Sequence, residues 1–229
     1  MDFEDPFPGI GNIFIYFSQY YRWCKLNNKK PIVYTHRPEK IVGLKDGLFE
    51  FTSIKPENLI TPVCSLHSLF NISMPGYMNR IIDVPNIDFP DDIVAGFCFR
   101  FGDPKFDEGF QFMNDKCVNT MMNEMKKYNR VFVCSNKNSF IKDLKKQFGE
   151  EKIYSLNDEQ EDSRFNPKHI EQWFALSRCP IVYHFIKTYN SDSNEITSTF
   201  APTAAVYGGG EVIGVDNNGD MFHGQTYHW

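Results

Sequence analysis

Arg100 is the first residue in the chain whose type and position could do chemistry. It leaves a buried-looking apolar run, Ile93 to Phe99, within the string Cys98-Phe99-Arg100-Phe101-Gly102-Asp103. A guanidinium there needs an anion or water, its planar fork suits a phosphate, and Gly102 lets a ligand come close to backbone. An internal pair with Asp103 is an equally good account of the same residues. A second group, Ser135-Asn136-Lys137-Asn138, follows another apolar run. Its small polar side chains suit a ribose or base, or simply cap the next helix. A third, Ser198-Thr199-Phe200-Ala201, precedes a short helical pattern. If Thr199 caps that helix, hydroxyls and free N–H groups together form a phosphate site, although Ser and Thr also cap helices for structural reasons alone. The fourth is Gly9-Ile10-Gly11-Asn12, ahead of the first helical pattern, where two glycines could wrap an anion or make a tight turn. No Gly-Lys-Ser/Thr follows, and Phe14 stands where a full GxGxxG needs its last glycine.

These groups need elements to hold them. Apolar steps of three and four from Ile13 to Leu26 predict an amphipathic helix, and 31–34 a short strand. From Lys40 to Asp92 the many Pro, Asn and Asp residues predict loops with short strands at Leu48–Phe51 and Arg80–Val84. The stretch 85–92, with two prolines and three acids, reads as a linker. Beyond it strands at 93–99, 130–135, 152–155, 180–185 and 211–216 alternate with helices at 111–128, 138–148, 166–176 and 199–207. Such alternation means a parallel sheet covered by helices, whose ligands bind outside the carboxyl ends of the strands. Three of the four polar groups fall at such ends or at the helix start facing them.

The composition restricts the partners. With 41% hydrophobic and 23% charged residues the 229-residue chain is globular, large enough for one large domain or two small ones. A net charge of −5 argues against a dedicated nucleic-acid binder. No run of about 18 apolar residues predicts a membrane span, and the acidic start Met-Asp-Phe-Glu-Asp-Pro lacks the features of a signal peptide. Cys24, Cys64, Cys98, Cys117, Cys134 and Cys179 form no CxxC pair and read as thiols of a reducing, cytoplasmic setting. His67, His169, His184, His223 and His228 lack metal-ligand spacing, so no metal site is expected. Asp216-Asn-Asn-Gly-Asp220 resembles a turn and lacks the calcium-loop pattern.

In order and spacing the four groups resemble the motifs of the GDP-fucose-dependent fucosyltransferase superfamily, the alpha-1,2-, alpha-1,6- and protein O-fucosyltransferases. The correspondence runs from Gly9-Ile10-Gly11-Asn12, through Cys98–Asp103 and Ser135-Asn136-Lys137, to Leu176-Ser177-Arg178-Cys179 and Ser198-Thr199-Phe200-Ala201, and so spans about 9–210. The resemblance implies an α/β protein of GT-B type, two facing Rossmann-like domains. The first, about 1–90, would be trimmed and on the acceptor side. The second, 91–229, would hold the nucleotide sugar on a parallel sheet with helices on both faces. It further implies that Arg100 contacts the donor diphosphate as the catalytic cation. Ser198, Thr199 and Phe200 would cradle phosphate and base or ribose, and Asn12 would line the cleft. Gly11, Gly102, Asp103, Ser135 and Asn136 would complete the donor site, with no metal or other cofactor. Three departures stand out: Cys98 replaces a frequent His, Phe101 a second Arg, and Asn136-Lys137 frequent acids.

The reading is therefore an inverting transferase that moves a sugar, fucose from GDP-fucose by resemblance, to a hydroxyl of a glycan or protein acceptor. Asp103, Asp107, Glu108 and His36 are the candidates for a general base. The departures also fit a non-catalytic descendant that binds a nucleotide or glycan. A phosphotransferase is more distant, for want of a Walker loop.

Overall fold

The structure, a computed structural model, describes residues 10–36, 38, 41, 43–54, 78–101, 113–156, 168–186 and 199–223. The chain divides into two units, Met1–Asn86 and Ile87–Trp229.

In the first unit helix α1 (Ile10–Leu26) buries Ile13, Phe14, Ile15, Phe17, Tyr20, Tyr21 and Cys24. Strands β1 (Ile32–Tyr34) and β2 (Glu50–Thr52) pair in parallel, with Val33 opposite Phe51. Tyr20 ties helix to strand: its hydroxyl donates to the Ile32 carbonyl at 2.8 Å and accepts from the Ile32 N–H at 3.2 Å. Phe17 meets Phe49 edge to face at 4.9 Å. The strand expected over 80–84 is instead a helical turn at 78–81, followed by one antiparallel bridge from Ile82 to Leu44. Met78, Ile81 and Ile82 are all fully buried, a spacing of three and four that belongs to a helix and not to alternating strand positions.

The second unit is built on a six-stranded sheet in the order β5-β4-β3-β6-β7-β8. Its strands are β3 (Ala95–Phe99), β4 (Val131–Ser135), β5 (Ile153–Tyr154), β6 (Ile181–Phe185), β7 (Glu211–Val215) and β8 (Met221–His223). All pairs are parallel except β7 with β8. Every residue of β3 and β4 is buried, which is why β3 reads as an apolar run broken only by Gly96 and β4 as one ending in Ser135: a parallel sheet is covered on both faces. The edge strand β8, all exposed, escaped the sequence reading.

One face carries Ala95, Phe97, Phe99, Val131, Val133, Tyr183, Phe185, Ile213 and Val215, covered by α2 (Asp115–Met125) through Cys117, Met121 and Met125 and by α3 (Asn138–Phe148) through Ile141 and Leu144. The opposite face is covered by α4 (Lys168–Ser177) and α5 (Phe200–Gly208), whose fully buried Trp173 joins them. Gly96 lets α4 lie close: a Cβ there would stand 2.6 Å from Leu176 Cδ1 and 2.9 Å from Cys179 Sγ. The stretch expected as a linker contains the unit boundary, after Asn86. Past it the chain is anchored to the sheet. Phe89 stacks edge-on against Phe132 and Tyr154, the Tyr154 hydroxyl donates to the Asp88 carbonyl at 2.6 Å, and Arg130 reaches Asp92 at 3.2 Å. Among the described residues no helix is long and apolar enough to cross a membrane.

Candidate functional site at the carboxyl edge of the second sheet

The chain winds outward from β3 to β4 and β5, then returns to the other side of β3 as β6 and β7. The topological switch therefore lies between β3 and β6, and in such sheets the crevice outside the carboxyl ends at that point takes the ligand. Arg100, half-buried, is the residue that follows β3 there. Its backbone N–H points to Met113 Sδ at 3.3 Å.

The neighbouring strand brings Ser135 and Asn136 to the same edge, since Phe99 and Ser135 are register partners. Neither caps α3, whose N-cap position is Lys137 and lacks a side-chain capping bond. The Ser135 hydroxyl accepts from the Lys137 N–H at 3.1 Å. Asn136 accepts from the Phe101 N–H and donates to the Phe101 carbonyl, both at 2.8 Å. Phe101 packs its ring against Phe140 at 4.8 Å, and the Lys137 ammonium lies 4.7 Å above it. Position 101 thus carries a packed aromatic covered by the cation at the N-cap of α3.

α5 delivers Thr199 and Phe200. Its C-terminal end is at the amino end of the sheet, where Gly208 abuts the Ser177 carbonyl and the Glu211 N–H donates to the Pro180 carbonyl. Nine residues span roughly 14 Å, much the same as the five-residue strand beneath. The helix N-terminus consequently stands level with the strands' carboxyl ends. Thr199, buried, occupies the N-cap position in a helical backbone conformation and makes no side-chain capping bond, contrary to the simplest sequence reading. What fixes this end is Thr203, whose hydroxyl donates to the Thr199 carbonyl at 2.6 Å. Pro202 sits in the first turn, where its missing N–H breaks no helix bond.

Beneath Arg100 the side chains of Cys134, Cys98 and His184 form a row across the α4 and α5 face, and Gly214 is the next register partner. A hydrogen bond with Cys98, and then burial, hold the Cys134 thiol well above its ordinary range. Burial pushes Cys179 up to about 12 and the His184 imidazole down to about 4. These are neutral groups at physiological pH. Among the described residues no three His, Cys, Asp or Glu side chains converge as metal ligands.

The second unit thus collects Arg100, Ser135, Asn136, Thr199 and Phe200 at one sheet edge. Gly102, Asp103 and Ser198, with Asp107 and Glu108, lie outside the described residues. Gly11 and Asn12 belong to the first unit, and they fall inside the first turn of α1 where a preceding loop was expected. His36, also there, shares a 2.6 Å hydrogen bond with the Tyr34 hydroxyl. Sequence reasoning noted Phe101 only as the residue in place of a second Arg and passed over Thr203 and Trp173, because each matters through a partner distant in sequence. The turn expected at Asp216–Asp220 is present, and the sequence did not show what closes it: Asp216, a fully buried carboxylate after β7, accepts from the N–H groups of Asn218 and Asp220.

No protein-family model matches the sequence, and no curated protein sequence does either. Solved structures do match in fold. A NodZ alpha-1,6-fucosyltransferase soaked with GDP-fucose aligns over 97% of this chain and 97% of its own, with a TM-score of 0.59 and 9% identity. The same enzyme co-crystallised with GDP gives 0.57 at 10% identity, over 97% and 96% of the two chains. The fucosyltransferase NodZ from Bradyrhizobium gives 0.56 at 8% identity, over 97% of each. The chain therefore shares, along almost its whole length, the mixed α/β fold of NodZ alpha-1,6-fucosyltransferase, whose crystals were soaked with GDP-fucose or grown with GDP.

Proposed function

We propose that the chain is an inverting glycosyltransferase of GT-B type, moving fucose from GDP-fucose to a hydroxyl of a glycan or protein acceptor. The observation that carries this is Arg100 at the switch point of a sheet whose fold matches NodZ structures holding GDP-fucose and GDP. In this reading an acceptor hydroxyl attacks the anomeric carbon through an oxocarbenium-like state, and the C–O bond to the diphosphate breaks. Arg100, together with the positive dipole end of α5 at the same sheet edge, faces the negative charge that grows on departing GDP. That electrostatic role needs no metal. Ser135, Phe200, Gly102, Asp103 and Ser198 complete the donor site, and Gly11 and Asn12 contribute from an acceptor-side first domain. A cytoplasmic setting goes with this reading, since the five described cysteines are free buried thiols.

The test is calorimetric titration with GDP-fucose, GDP and UDP-sugars, followed by assay of donor hydrolysis. Micromolar binding of the guanosine ligands, lost in Arg100→Ala, is the expected result. Binding of a UDP-sugar alone would replace the donor, and silence across the panel would defeat the reading. One observation favours a second possibility, a protein that binds the donor without turning it over: Phe101, packed on Phe140, offers no second cation. Donor binding without any hydrolysis would select it.

A further inference from the structure

We propose that Asn136 is a positioning residue for Arg100, locking the backbone beyond β3 so that the guanidinium is presented to the diphosphate from a fixed base. This rests on the reading of Arg100 given above.

The register of β3 with β4 ends at Phe99 opposite Ser135. Two residues further on, Phe101 is no longer part of the strand. Without another tie, residues 100 and 101 would be the fraying end of a strand. Asn136 supplies that tie by bonding both the N–H and the carbonyl of Phe101, each at 2.8 Å. One side-chain amide thus imitates the next rung of the ladder. Only Asn has a donor and an acceptor at this reach: Asp would set a carboxylate against the Phe101 carbonyl, and Leu would leave both backbone groups unanswered. The Phe101 side chain is held as well. Its ring meets Phe140 at 4.8 Å, Phe140 meets Phe99 at 4.9 Å, and Lys137 covers it. Arg100 is therefore bracketed by two fixed residues, Phe99 behind and Phe101 ahead, and pleating sends its side chain to the opposite face from theirs. Both polar atoms of the Asn136 side chain already serve Phe101, so its contribution to a ligand runs through Arg100.

The test is a double-mutant cycle on GDP binding to the full chain, read by ligand-observed NMR so that millimolar Kd values are reached. Asn136→Asp should weaken GDP binding about tenfold, the range expected for losing the bond to the Phe101 carbonyl and setting a carboxylate against that oxygen. In an Arg100→Ala background the same substitution should weaken it no further. A merely structural role predicts the opposite, losses that multiply, and that result overturns the proposal, as does an unchanged Kd in Asn136→Asp. Either outcome leaves the donor reading standing. Failure of the wild-type chain to bind GDP removes that reading, and this inference with it. Should Asn136→Asp not fold, Asn136→Gln, with the same amide displaced by one methylene, enters the cycle. Independently, the Phe101 amide of the wild-type chain should exchange slowly with solvent; exchange as fast as in an unfolded chain also overturns the proposal.

Discussion

The indole N–H of Trp173 donates to the hydroxyl of Thr203 at 2.9 Å, and that hydroxyl donates in turn to the Thr199 carbonyl at 2.6 Å. The relay lets fully buried α4 tryptophan chemistry decide where α5 begins. A buried indole needs its N–H satisfied, and Thr203, also fully buried, is the partner.

Thr203→Val keeps the shape of the side chain and removes the relay. Leaving the Trp173 N–H unsatisfied should cost about 1–3 kcal/mol of stability. Trp173→Phe removes the donor as well as the need for it, so the double variant should lose less than the sum of the two single ones. Urea midpoints of the four proteins measure this; additive losses would mean that the hydrogen bond contributes nothing of its own.

Arg100→Ala should lower donor turnover on the order of 10²–10³-fold, as removal of one charge-stabilising donor does elsewhere. Its far-ultraviolet circular dichroism and thermal midpoint should stay close to wild type, because the half-buried side chain lies beyond the buried strand. Near-native turnover would show that Arg100 is not the cation in question.

His184 sets a pH dependence of stability. Its imidazole is fully buried, and desolvation lowers its pKa from 6.5 to about 4. Between those values the unfolded chain binds a proton that the folded chain does not, so stability is fully present above about pH 6.5 and is lost as pH falls towards 4. The whole window corresponds to roughly 3 kcal/mol. Denaturant titrations from pH 7 to 4 should show this slope, reduced in His184→Leu. An identical slope in both proteins would assign the acid sensitivity to other groups.

Two glycines can be ranked. A Cβ on Gly96 meets Leu176 Cδ1 and Cys179 Sγ, side-chain atoms that can shift without moving the backbone. A Cβ on Gly208 would collide with the Ser177 backbone carbonyl, which cannot move without shifting the end of α4. Gly208→Ala should therefore destabilise more than Gly96→Ala, whose overpacking cost should be about 1–3 kcal/mol. Thermal midpoints of the two variants decide the order.

The second unit was legible because its strands are buried on both faces. Val131–Ser135 is apolar up to its terminal Ser135 and Ile181–Phe185 is interrupted only by His184, and the helix over Asn138–Phe148 stops at Gly149, whose φ of 94° only glycine adopts at ease. The edge strand Met221–His223 is short and exposed, and it exists because the Asp216 turn folds it back onto β7. The turn itself is readable in Asp216–Asp220, but three exposed residues after it carry no strand pattern. The site divides in the same way. Arg100 is visible as a cation ending an apolar run, whereas the work of Asn136 depends on a residue 35 positions away being brought beside it by the register of two strands.

The strand order also has a consequence for how the protein is made. β3 is the first strand of the second unit to be synthesised, yet it ends in the middle of the sheet between β4 and β6. Its β4 side can be covered early, but its β6 side stays open until β5 and α4 have also emerged. Throughout that interval an apolar strand end, Ala95 to Phe99, offers unpaired backbone to any neighbouring chain. Long-range parallel pairing of this kind is slow. Refolding yield should accordingly fall as protein concentration rises, and nascent chains halted before Ile181 should be the ones that recruit chaperones.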